Sequence, residues 1–475
     1  MTGTGGRALL ALPPLAGVVA VVAATAKGLY VSPDAVFYVG TARNWLDGRG
    51  FTPPPGLPPL EHFPPLFTVL LAGSGIDPLS GARVVNTLAF AGIVLLVGLV
   101  VRSRTASVPA ALLASLVTVA AHDLLAYSAS ALSEPVFVLL ALGGLVVLAA
   151  HLERPRTGVL IGAAALVAAA FLTRYVGVAL VVAGVAGLLW RRRPIDALVF
   201  GAIGVVPVVA WLAWAGTGDR PVVFHPFGWD YLGQAVRPLT RWLVPWPGPP
   251  VGFVLAVALV TAGVVLARRH PATADRHPLP MLLVAFSVVY LLVLLGYRTF
   301  TDATGRLDAR FLLPLHLVAV LVVVPALWRR PLLRPALALL AVAQVAGAVA
   351  WTAGGLTDDG IGRRGYTAAA WERSPIVARL ATAHEPVYTN GFDAVFLHTG
   401  RPTRPIPAEE DYLTGRANPR YAEELAAMRA GGGLVAYFDA LTFRRSVLPS
   451  RTELEAALPL ELILQDEVGS LYRLR

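Results

Sequence analysis

The 475-residue chain contains no cysteine, so the sequence excludes disulfide bonds, a thiolate nucleophile and cysteine metal sites. Charged residues are also scarce, at 14% of the chain, whereas 56% of the residues are hydrophobic. Soluble domains contain about 25% charged residues. The composition therefore indicates a membrane protein rather than a soluble one.

The few charged residues are unbalanced, with 39 Lys and Arg against 29 Asp and Glu and a formal net charge of +10. In a soluble protein such a surplus would suggest a nucleic-acid partner. Here most of the surplus arginines lie in short links between apolar segments. Because orientation in a bilayer explains such links, we expect no nucleic-acid partner.

Apolar segments suited to membrane crossing recur along the first three quarters of the chain. A spanning helix needs about 20 mostly apolar residues. We predict about 11 transmembrane helices, at residues 8–29, 82–101, 107–126, 134–150, 157–173, 175–190, 196–215, 251–267, 279–297, 311–328 and 335–352. The first segment is long and has no signal-peptidase-like site, so we interpret it as a span.

The arginine distribution predicts the orientation of the chain. Alternate links, such as 191–193, carry arginine with few acids, whereas segments 30–81, 216–250 and 298–310 mix arginine with Asp and Glu. The positive-inside rule places the arginine-rich links and the N-terminus in the cytoplasm. An odd number of spans then places residues 353–475 outside, in a multi-pass plasma-membrane protein.

The pattern changes after the last apolar segment. Residues 385–401 predict a strand, a turn and a helix; residues 418–439 predict a helix, a glycine break and a buried strand; and residues 460–475 predict a hairpin. We therefore divide the chain into a membrane domain, residues 1–352, and a small extracytoplasmic α/β domain, residues 353–475.

The first outer loop, residues 30–81, begins with a predicted helix. Ser32 and Pro33 are typical of a helix start, and Gly48 or Gly50 of its end. The side chains that would share one face of this helix are Asp34, Phe37, Tyr38, Thr41 and Trp45. We expect this aromatic-rich helix to lie in the membrane interface. Stabilisation of the helix dipole is the alternative explanation of Asp34.

The second half of this loop contains "PLEHFPPLFTVLLAG", residues 59–73. Glu61 and His62 precede two prolines and an apolar run too short to span a bilayer. This segment also predicts packing at the interface. A plain membrane anchor requires none of these features, so the loop indicates a site.

The order Asp34, Tyr38, Ala42 and Gly48, followed by "HFPPLFTVLLA", resembles the first periplasmic loop of GT-C membrane glycosyltransferases. Within them it is most similar to the group related to protein O-mannosyltransferases and lipid A aminoarabinose transferases. Three later segments are also similar to parts of that group's bacterial branch, namely Leu172–Gly184, Asp308–Leu317 and Val387–Arg401.

The resemblance implies a GT-C-like fold and transfer of a sugar from a polyprenyl-phosphate donor at the outer membrane face. The acceptor would be a lipid, a glycan or a protein. Catalysis in these enzymes is most often assigned to the first-loop aspartate, whose position Asp34 occupies. Many relatives carry a second acid beside it, where this chain has Ala35, which argues against a metal-binding pair at that spot.

Two acids are candidates for the chemistry. A carboxylate can take the proton of the acceptor hydroxyl, and we assign that role to Asp34. Glu134 starts the fourth span, and the resemblance implies that it lies near Asp34; a place in the headgroup region is the alternative. Asp34 and Glu134 could then share a metal, a proton or the acceptor, and oxygen-only ligation would favour Mg²⁺ or Mn²⁺. His62 could add a nitrogen ligand, with a hydrogen-bonding role as its alternative. Tyr38, Glu61 and His62 are further candidates for the acceptor side of the loop.

Arginines are candidates for the donor phosphate, because the guanidinium fork binds phosphate oxygens bidentately. Arg174, with Tyr175 beside it, lies on the predicted outer side, and snorkelling to headgroups is the alternative explanation. Arg306 and Arg310 are four residues apart, so a helix starting there would align them. The resemblance favours Arg310, whereas local pairing with Asp308 is the alternative.

The main alternative function is a multi-span transporter or lipid flippase. Against it, the chain has no internal repeat at the scale of half its length, and ionisable residues inside spans are few, with His122 and Asp123 as the clearest pair. A glycan polymerase or ligase and an inactive scaffold of the same fold are further alternatives. The transferase hypothesis requires Asp34, Glu134, Arg174 and Arg310 to meet in one outer-facing cavity with a lateral opening to lipid.

Overall fold

A computed structural model describes residues 8–216, 224–226, 228–242, 258, 261, 265, 278–301, 306–357, 364–411, 415–442 and 444–475. The first part of the chain is helical. Its helices are α1 (Leu12–Ala24), α2 (Pro33–Leu46), α3 (Leu66–Ala72), α4 (Pro78–Thr105), α5 (Val108–Val119), α6 (His122–Ser128), α7 (Glu134–Glu153), α8 (Thr157–Thr173), α9 (Val178–Trp190), α10 (Pro194–Ala215), α11 (Trp229–Gly233), α12 (Val236–Arg241), α13 (Leu279–Phe300), α14 (Ala309–Trp328) and α15 (Arg334–Gly354).

Six described helices are long and apolar enough to cross a membrane, namely α4, α7, α10, α13, α14 and α15 with its preceding turn. The pair α5 and α6, bent by 57°, adds a seventh if it forms one span. Helices α1, α8 and α9 are shorter and also apolar. Apolar helices thus occupy all the predicted spans except 251–267, which lies almost wholly outside the described residues. The count of 11 crossings stays a prediction.

Small residues allow these helices to pack closely. A Cβ atom at Gly144 of α7 would lie 2.8 Å from the Val167 side chain of α8, and one at Gly184 of α9 would lie 2.4 Å from Phe200 of α10. Close backbone approach is the usual basis of helix packing in membranes, where lipid provides no hydrophobic drive for association. These contacts build the main core of the helical part.

The C-terminal part contains helices and one mixed sheet. The elements are α16 (Ala369–Glu372), α17 (Pro375–Ala381), β1 (Val387–Thr389), α18 (Phe392–Thr399), β2 (Arg404–Pro405), α19 (Tyr421–Gly431), β3 (Gly433–Tyr437), α20 (Arg451–Ala457), β4 (Leu460–Gln465) and β5 (Ser470–Leu474). The strand order is β2-β1-β3-β5-β4, with β2, β1 and β3 parallel and the last two pairs antiparallel. The predicted strand–helix, helix–strand and hairpin units are all present. The boundary between the two predicted domains stays a prediction.

Helix α2 forms where the sequence predicts it. The Ser32 side chain accepts a hydrogen bond from the Ala35 backbone N–H, Pro33 is the first helical residue, and Gly48 follows the end with φ +76°. The residues between Ala35 and Ala42 are all buried. Because α3, α4 and α18 pack around it, the helix is enclosed by protein. Its central residues are therefore covered by protein, and its place in the membrane interface stays a prediction.

The first loop and the C-terminal part share one hydrophobic core. This core combines Val36 and Phe37 of α2 with Val395 and Phe396 of α18. A Cβ atom at Gly40 would lie 3.2 Å from the Phe396 ring, so a small residue is needed where the helices cross. The C-terminal part therefore packs directly on the helix that carries Asp34.

Asp77 supports a testable prediction about stability. Its carboxylate caps α4 by accepting hydrogen bonds from the Leu79 and Ser80 backbone N–H groups, and it pairs with Arg43 at 2.9 Å. We expect Asp77→Ala to lower the free energy of unfolding by about 1 kcal/mol, mostly through the lost cap, since exposed ion pairs contribute little. Asp47→Ala, at an exposed acid, is the control, and thermal unfolding in detergent measures both.

The effect of Asp77→Ala should depend on pH. Burial raises the pKa of Asp77, but Arg43 and the hydrogen bonds outweigh it, so the pKa lies below its ordinary value. The stabilisation is therefore full above the unfolded pKa of about 3.9 and is lost as the pH falls through the lower folded pKa. A difference between wild type and variant that grows on acidification would contradict this assignment.

Candidate functional site

Three helix starts converge around two carboxylates and one arginine. Asp34 lies in the first turn of α2, Glu134 is the first residue of α7, and Arg310 is the second residue of α14. Nη1 of Arg310 donates to Oδ2 of Asp34 at 2.6 Å, and Nε of Arg310 donates to Oε1 of Glu134. Arg310 therefore bridges the two acids, which are 100 residues apart in the sequence.

A second arginine completes the cluster. Arg174 ends α8 with an extended backbone, and its Nη1 donates to Oε1 of Glu134 at 2.5 Å. The guanidinium group also lies over the Phe311 ring, with its central carbon 5.6 Å from the ring centroid. Asp34, Glu134, Arg174 and Arg310 thus meet, which is one part of what the transferase hypothesis requires. We call these four residues the charged cluster.

The two acids of the cluster have different environments. The Glu134 side chain is 3% exposed and that of Asp34 is 32% exposed. Glu134 contacts two guanidinium groups through Oε1, while its Oε2 is buried and has no hydrogen-bond partner within the described part of the chain. A small molecule in the site can reach Asp34 more readily than Glu134.

Asp308 fixes the start of α14 and thereby the position of Arg310. Its carboxylate accepts hydrogen bonds from the backbone N–H groups of Arg310, at 3.0 Å, and Phe311, at 3.4 Å. Burial raises the pKa of Asp308, although Arg310 opposes the shift. Asp308 therefore caps the helix through backbone N–H groups. The guanidinium group of Arg310 is left to bind Asp34 and Glu134.

The helix start also corrects a prediction about Arg306. Because α14 begins at Ala309, Arg306 precedes the helix and cannot align with Arg310 on one helical face. Its side chain is exposed. Of the two arginines predicted in this loop, the structure brings only Arg310 into the charged cluster.

Tyr38 reaches the cluster through a residue that the sequence analysis missed. Its hydroxyl lies 3.3 Å from Oγ of Ser133, which also lies 3.4 Å from Nη1 of Arg174. Burial raises the pKa of Tyr38 well above its ordinary value, so its hydroxyl remains protonated at neutral pH. Ser133 directly precedes Glu134 at the start of α7, and that position is the signal that could have identified it.

The Tyr175 hydroxyl, predicted to donate to the lipid phosphate, is hydrogen-bonded within the protein. Its hydroxyl donates to the backbone carbonyl of Glu61 at 2.8 Å and accepts a hydrogen bond from Nε1 of Trp211 at 3.1 Å. Tyr175 therefore ties the first loop to α10. Binding of a lipid phosphate by this hydroxyl would require the bond to Glu61 to break.

The three predicted metal ligands, Asp34, Glu134 and His62, do not form one group. Within the described ranges, no group of three or more His, Asp and Glu side chains is placed to hold a metal ion. Glu61 is buried, and the His62 ring packs on Phe63 with 4.7 Å between centroids. The charges of Asp34 and Glu134 are balanced by arginines, so the predicted set with His62 does not fit Mg²⁺ or Mn²⁺.

Asp123, noted in the sequence as an ionisable residue near a span end, also has a basic partner. It is buried in α6, and its Oδ1 lies 3.7 Å from Nη1 of Arg241 in α12. Arg241 was not predicted as a partner, because this arginine lies in the long segment 216–250, where tryptophan and proline dominate the pattern.

The architecture is similar to that of known membrane proteins. No protein-family model and no curated protein matches the sequence. Among solved structures, ArnT from Cupriavidus metallidurans in the apo state matches with a TM-score of 0.65 and 14% identity, over 99% of this chain and 98% of that chain. The same protein bound to undecaprenyl phosphate matches with a TM-score of 0.63 and 13% identity, over the same shares.

A third similar structure is the arabinofuranosyltransferase AftD from Mycobacteria, with a TM-score of 0.54 and 15% identity over 98% of this chain and 40% of AftD. ArnT and AftD are GT-C glycosyltransferases. The likeness to them extends over nearly the whole chain, which confirms the resemblance seen in the sequence at the level of the fold. The chain therefore has the fold of the GT-C membrane glycosyltransferases, that of a multi-pass helical membrane protein.

Proposed function

We propose that this protein is a membrane glycosyltransferase that moves a sugar from a polyprenyl-phosphate-linked donor to an acceptor hydroxyl at the outer membrane face. The observation that carries the proposal is the charged cluster, in which four separate segments bring two acids and two arginines into direct contact. The fold likeness supports it, because ArnT has been crystallised with undecaprenyl phosphate bound.

Arg174 and Arg310 are the residues that hold the donor phosphate. Each guanidinium group has five N–H donors, and the described hydrogen bonds use Nη1 of Arg174 and Nη1 and Nε of Arg310. The remaining donors can bind phosphate oxygens. The leaving group changes from a phosphodiester to a more negatively charged monoester, so these arginines stabilise the transition state more than the ground state.

Glu134 orients the two arginines. Its side chain is almost fully buried, and its Oε1 accepts hydrogen bonds from both guanidinium groups. An acceptor cannot reach this oxygen without displacing an arginine. Glu134 therefore acts on the donor site by holding its cations in place.

Asp34 is the base. Its carboxylate is the more exposed of the two acids, and Arg310 holds one of its oxygens. In the reaction, the acceptor oxygen bonds to the anomeric carbon while its proton passes to Asp34. The bond between that carbon and the phosphate oxygen breaks, and its electron pair remains on the phosphate.

The proposed topology follows the arginine pattern of the sequence. It places the N-terminus in the cytoplasm, and the charged cluster and residues 353–475 on the extracytoplasmic side. Of the three predicted loop residues, Tyr38 and Glu61 are buried, so only the half-buried His62 is proposed to face the acceptor, which is a lipid, a glycan or a protein.

A transfer assay tests the proposal. Purified protein in lipid vesicles is mixed with radiolabelled hexoses and pentoses on polyprenyl phosphate and with cell-envelope acceptors. We expect the label to leave one donor class and free polyprenyl phosphate to appear in equal amount. Movement of the intact lipid between leaflets without cleavage would instead favour the flippase alternative and contradict the proposed reaction.

A further inference from the structure

Three stretches that are distant in the sequence pair side by side just before the two acids of the charged cluster. Tyr30 pairs in parallel with Ser130, and Val31 pairs in parallel with Gly365. We call this arrangement the carboxylate ladder; it consists of residues 29–31, 129–131 and 365–367. Its first two members belong to the loops that precede α2 and α7, and the third belongs to the C-terminal part.

The ladder is held by backbone hydrogen bonds on both sides of its central stretch. The Tyr30 N–H donates to the Ala129 carbonyl, and the Ala131 N–H donates to the Tyr30 carbonyl, each at 3.0 Å. On the other side, the Tyr366 N–H donates to the Val31 carbonyl at 3.0 Å. Residues 29–31 are therefore fixed between the second outer loop and the C-terminal part.

The register of the ladder determines where the two acids lie. Asp34 follows Tyr30 by four residues, and Glu134 follows its parallel partner Ser130 by four residues. A slip of one residue along a strand moves the chain by about 3.3 Å. Such a shift exceeds the tolerance of a hydrogen bond, so Arg310 could no longer bind both acids in their present positions.

The C-terminal stretch of the ladder is itself firmly anchored. The Tyr366 hydroxyl donates to Oδ2 of Asp393 at 2.7 Å, and Arg444 binds both oxygens of Asp393 at 3.0 Å. Asp393 lies in α18 and is fully buried. Nε2 of His398 lies 2.7 Å from the Tyr366 carbonyl oxygen. Tyr366 is thus bound to the α/β part at both its side chain and its backbone.

We propose that residues 365–367 are a positioning segment for the charged cluster. By holding residues 29–31 in register with residues 129–131, they set the spacing of Asp34 and Glu134 that allows Arg310 to bridge them. The C-terminal part thereby contributes to catalysis without touching the substrate. The predicted effect on rate rests on the proposed function, whereas the effect on the ladder does not.

Two glycines provide a matched pair of variants. Gly365 and Gly400 both have φ +68°, so alanine imposes the same backbone strain at either position. A Cβ atom at Gly365 would lie 2.5 Å from the Val31 carbonyl oxygen and 2.8 Å from the Tyr30 ring. A Cβ atom at Gly400 meets nothing within 4 Å. Of the two variants, only Gly365→Ala therefore brings a methyl group against Tyr30 and Val31 of the ladder.

The kinetic test compares these variants in the transfer assay. We expect Gly365→Ala to lower kcat by about a hundredfold, because a displacement near 1 Å has an effect of that size. Its donor KM should stay within about twofold, since the added methyl displaces the segment before Asp34 and leaves Glu134 bound to Arg174 and Arg310. Gly400→Ala should stay within about twofold in both constants. Equal kcat for the two variants would overturn the proposal.

A second variant covers the case in which Gly365→Ala does not fold. The Thr367 hydroxyl donates to the Leu29 carbonyl at 2.7 Å, and Thr367→Val removes that bond with little change in shape. We expect about a fivefold loss of kcat, the equivalent of one hydrogen bond, at unchanged donor KM. A kcat equal to that of wild type would contradict the positioning role.

An activity-independent test uses the absence of native cysteine. Tyr30→Cys with Ser130→Cys creates a single possible intramolecular disulfide, between neighbours about 4.8 Å apart, which lies within disulfide range. We expect cross-linking in the wild-type and Gly400→Ala backgrounds and about tenfold slower cross-linking with Gly365→Ala. Equal cross-linking rates would refute the ladder proposal, whereas normal cross-linking without transfer by the wild type would count against the proposed function alone.

Discussion

We expect Asp34→Asn to lower kcat for sugar transfer by about a thousandfold while the donor KM changes little. The amide keeps the shape of the side chain but cannot take the proton of the acceptor hydroxyl. The proposed phosphate-binding arginines, Arg174 and Arg310, keep Glu134 as a partner in the variant, so donor binding should persist. Steady-state kinetics on the purified protein measure both constants.

The control for this variant is Asp47→Asn. Asp47 stands at the other end of α2, where its exposed side chain pairs with Arg49 at 2.6 Å. Both variants remove one negative charge from the same helix, so a general effect of charge would appear in both. Transfer by Asp34→Asn at the wild-type rate would exclude Asp34 as the base.

Arg310→Met has the second large effect, on stability as well as on rate. Without Arg310, Asp34 loses its partner, and the buried Glu134 retains Arg174 alone. Removing one member of a buried ion pair destabilises a protein by about 3–5 kcal/mol when the remaining charge is uncompensated. Because Glu134 keeps Arg174 and Asp34 is partly exposed, we expect a loss no larger than about 3 kcal/mol. Donor binding should also weaken, since one of the two phosphate-binding groups is gone.

Two further variants separate these effects. Arg306→Met removes an exposed arginine from the same loop, and we expect its stability to stay within about 0.5 kcal/mol of wild type. Adding Glu134→Gln to Arg310→Met leaves one acid and one arginine in the cluster, so its charges balance again and thermal stability should partly return while transfer does not. Recovery of transfer in the double variant would show that Arg310 acts only on stability.

Local signals explain what the sequence predicted correctly. Ser32 and Pro33 determine the start of α2 through a side-chain cap and a fixed φ angle, independently of the rest of the chain. The apolar segments are equally local, because every spanning helix must satisfy its own backbone hydrogen bonds. The charged residues of the cluster stand at the ends of apolar segments, where ionisable residues are conspicuous, and the resemblance to GT-C glycosyltransferases favoured Asp34, Glu134 and Arg310 among them.

Long-range pairing explains what the sequence did not predict. Nothing in residues 30–31 indicates that they pair with residues 129–131 and 365–367, since the register depends on how distant loops meet. The burial of α2 likewise results from its contact with α18. Arg306 was misplaced for a local reason, because Asp308 caps the helix and starts it after that residue.

The fold likeness at low identity has a physical basis as well. Identity to ArnT is 14%, yet the match covers 99% of this chain. Membrane helices require apolar character and small residues at their crossings, and many sequences satisfy both. Gly144 and Gly184 meet the second requirement here through their approach to neighbouring side chains. A fold can therefore persist while most residues differ.

The central claim is that the arginines of the charged cluster bind a lipid phosphate. Equilibrium binding of polyprenyl phosphate to the purified protein tests it most directly, with Arg174→Met compared with Arg306→Met. We predict that the Kd rises by about tenfold to a hundredfold for Arg174→Met, since charge-assisted hydrogen bonds to phosphate are lost, and by less than about twofold for Arg306→Met. Equal Kd values for wild type and both variants would contradict the claim.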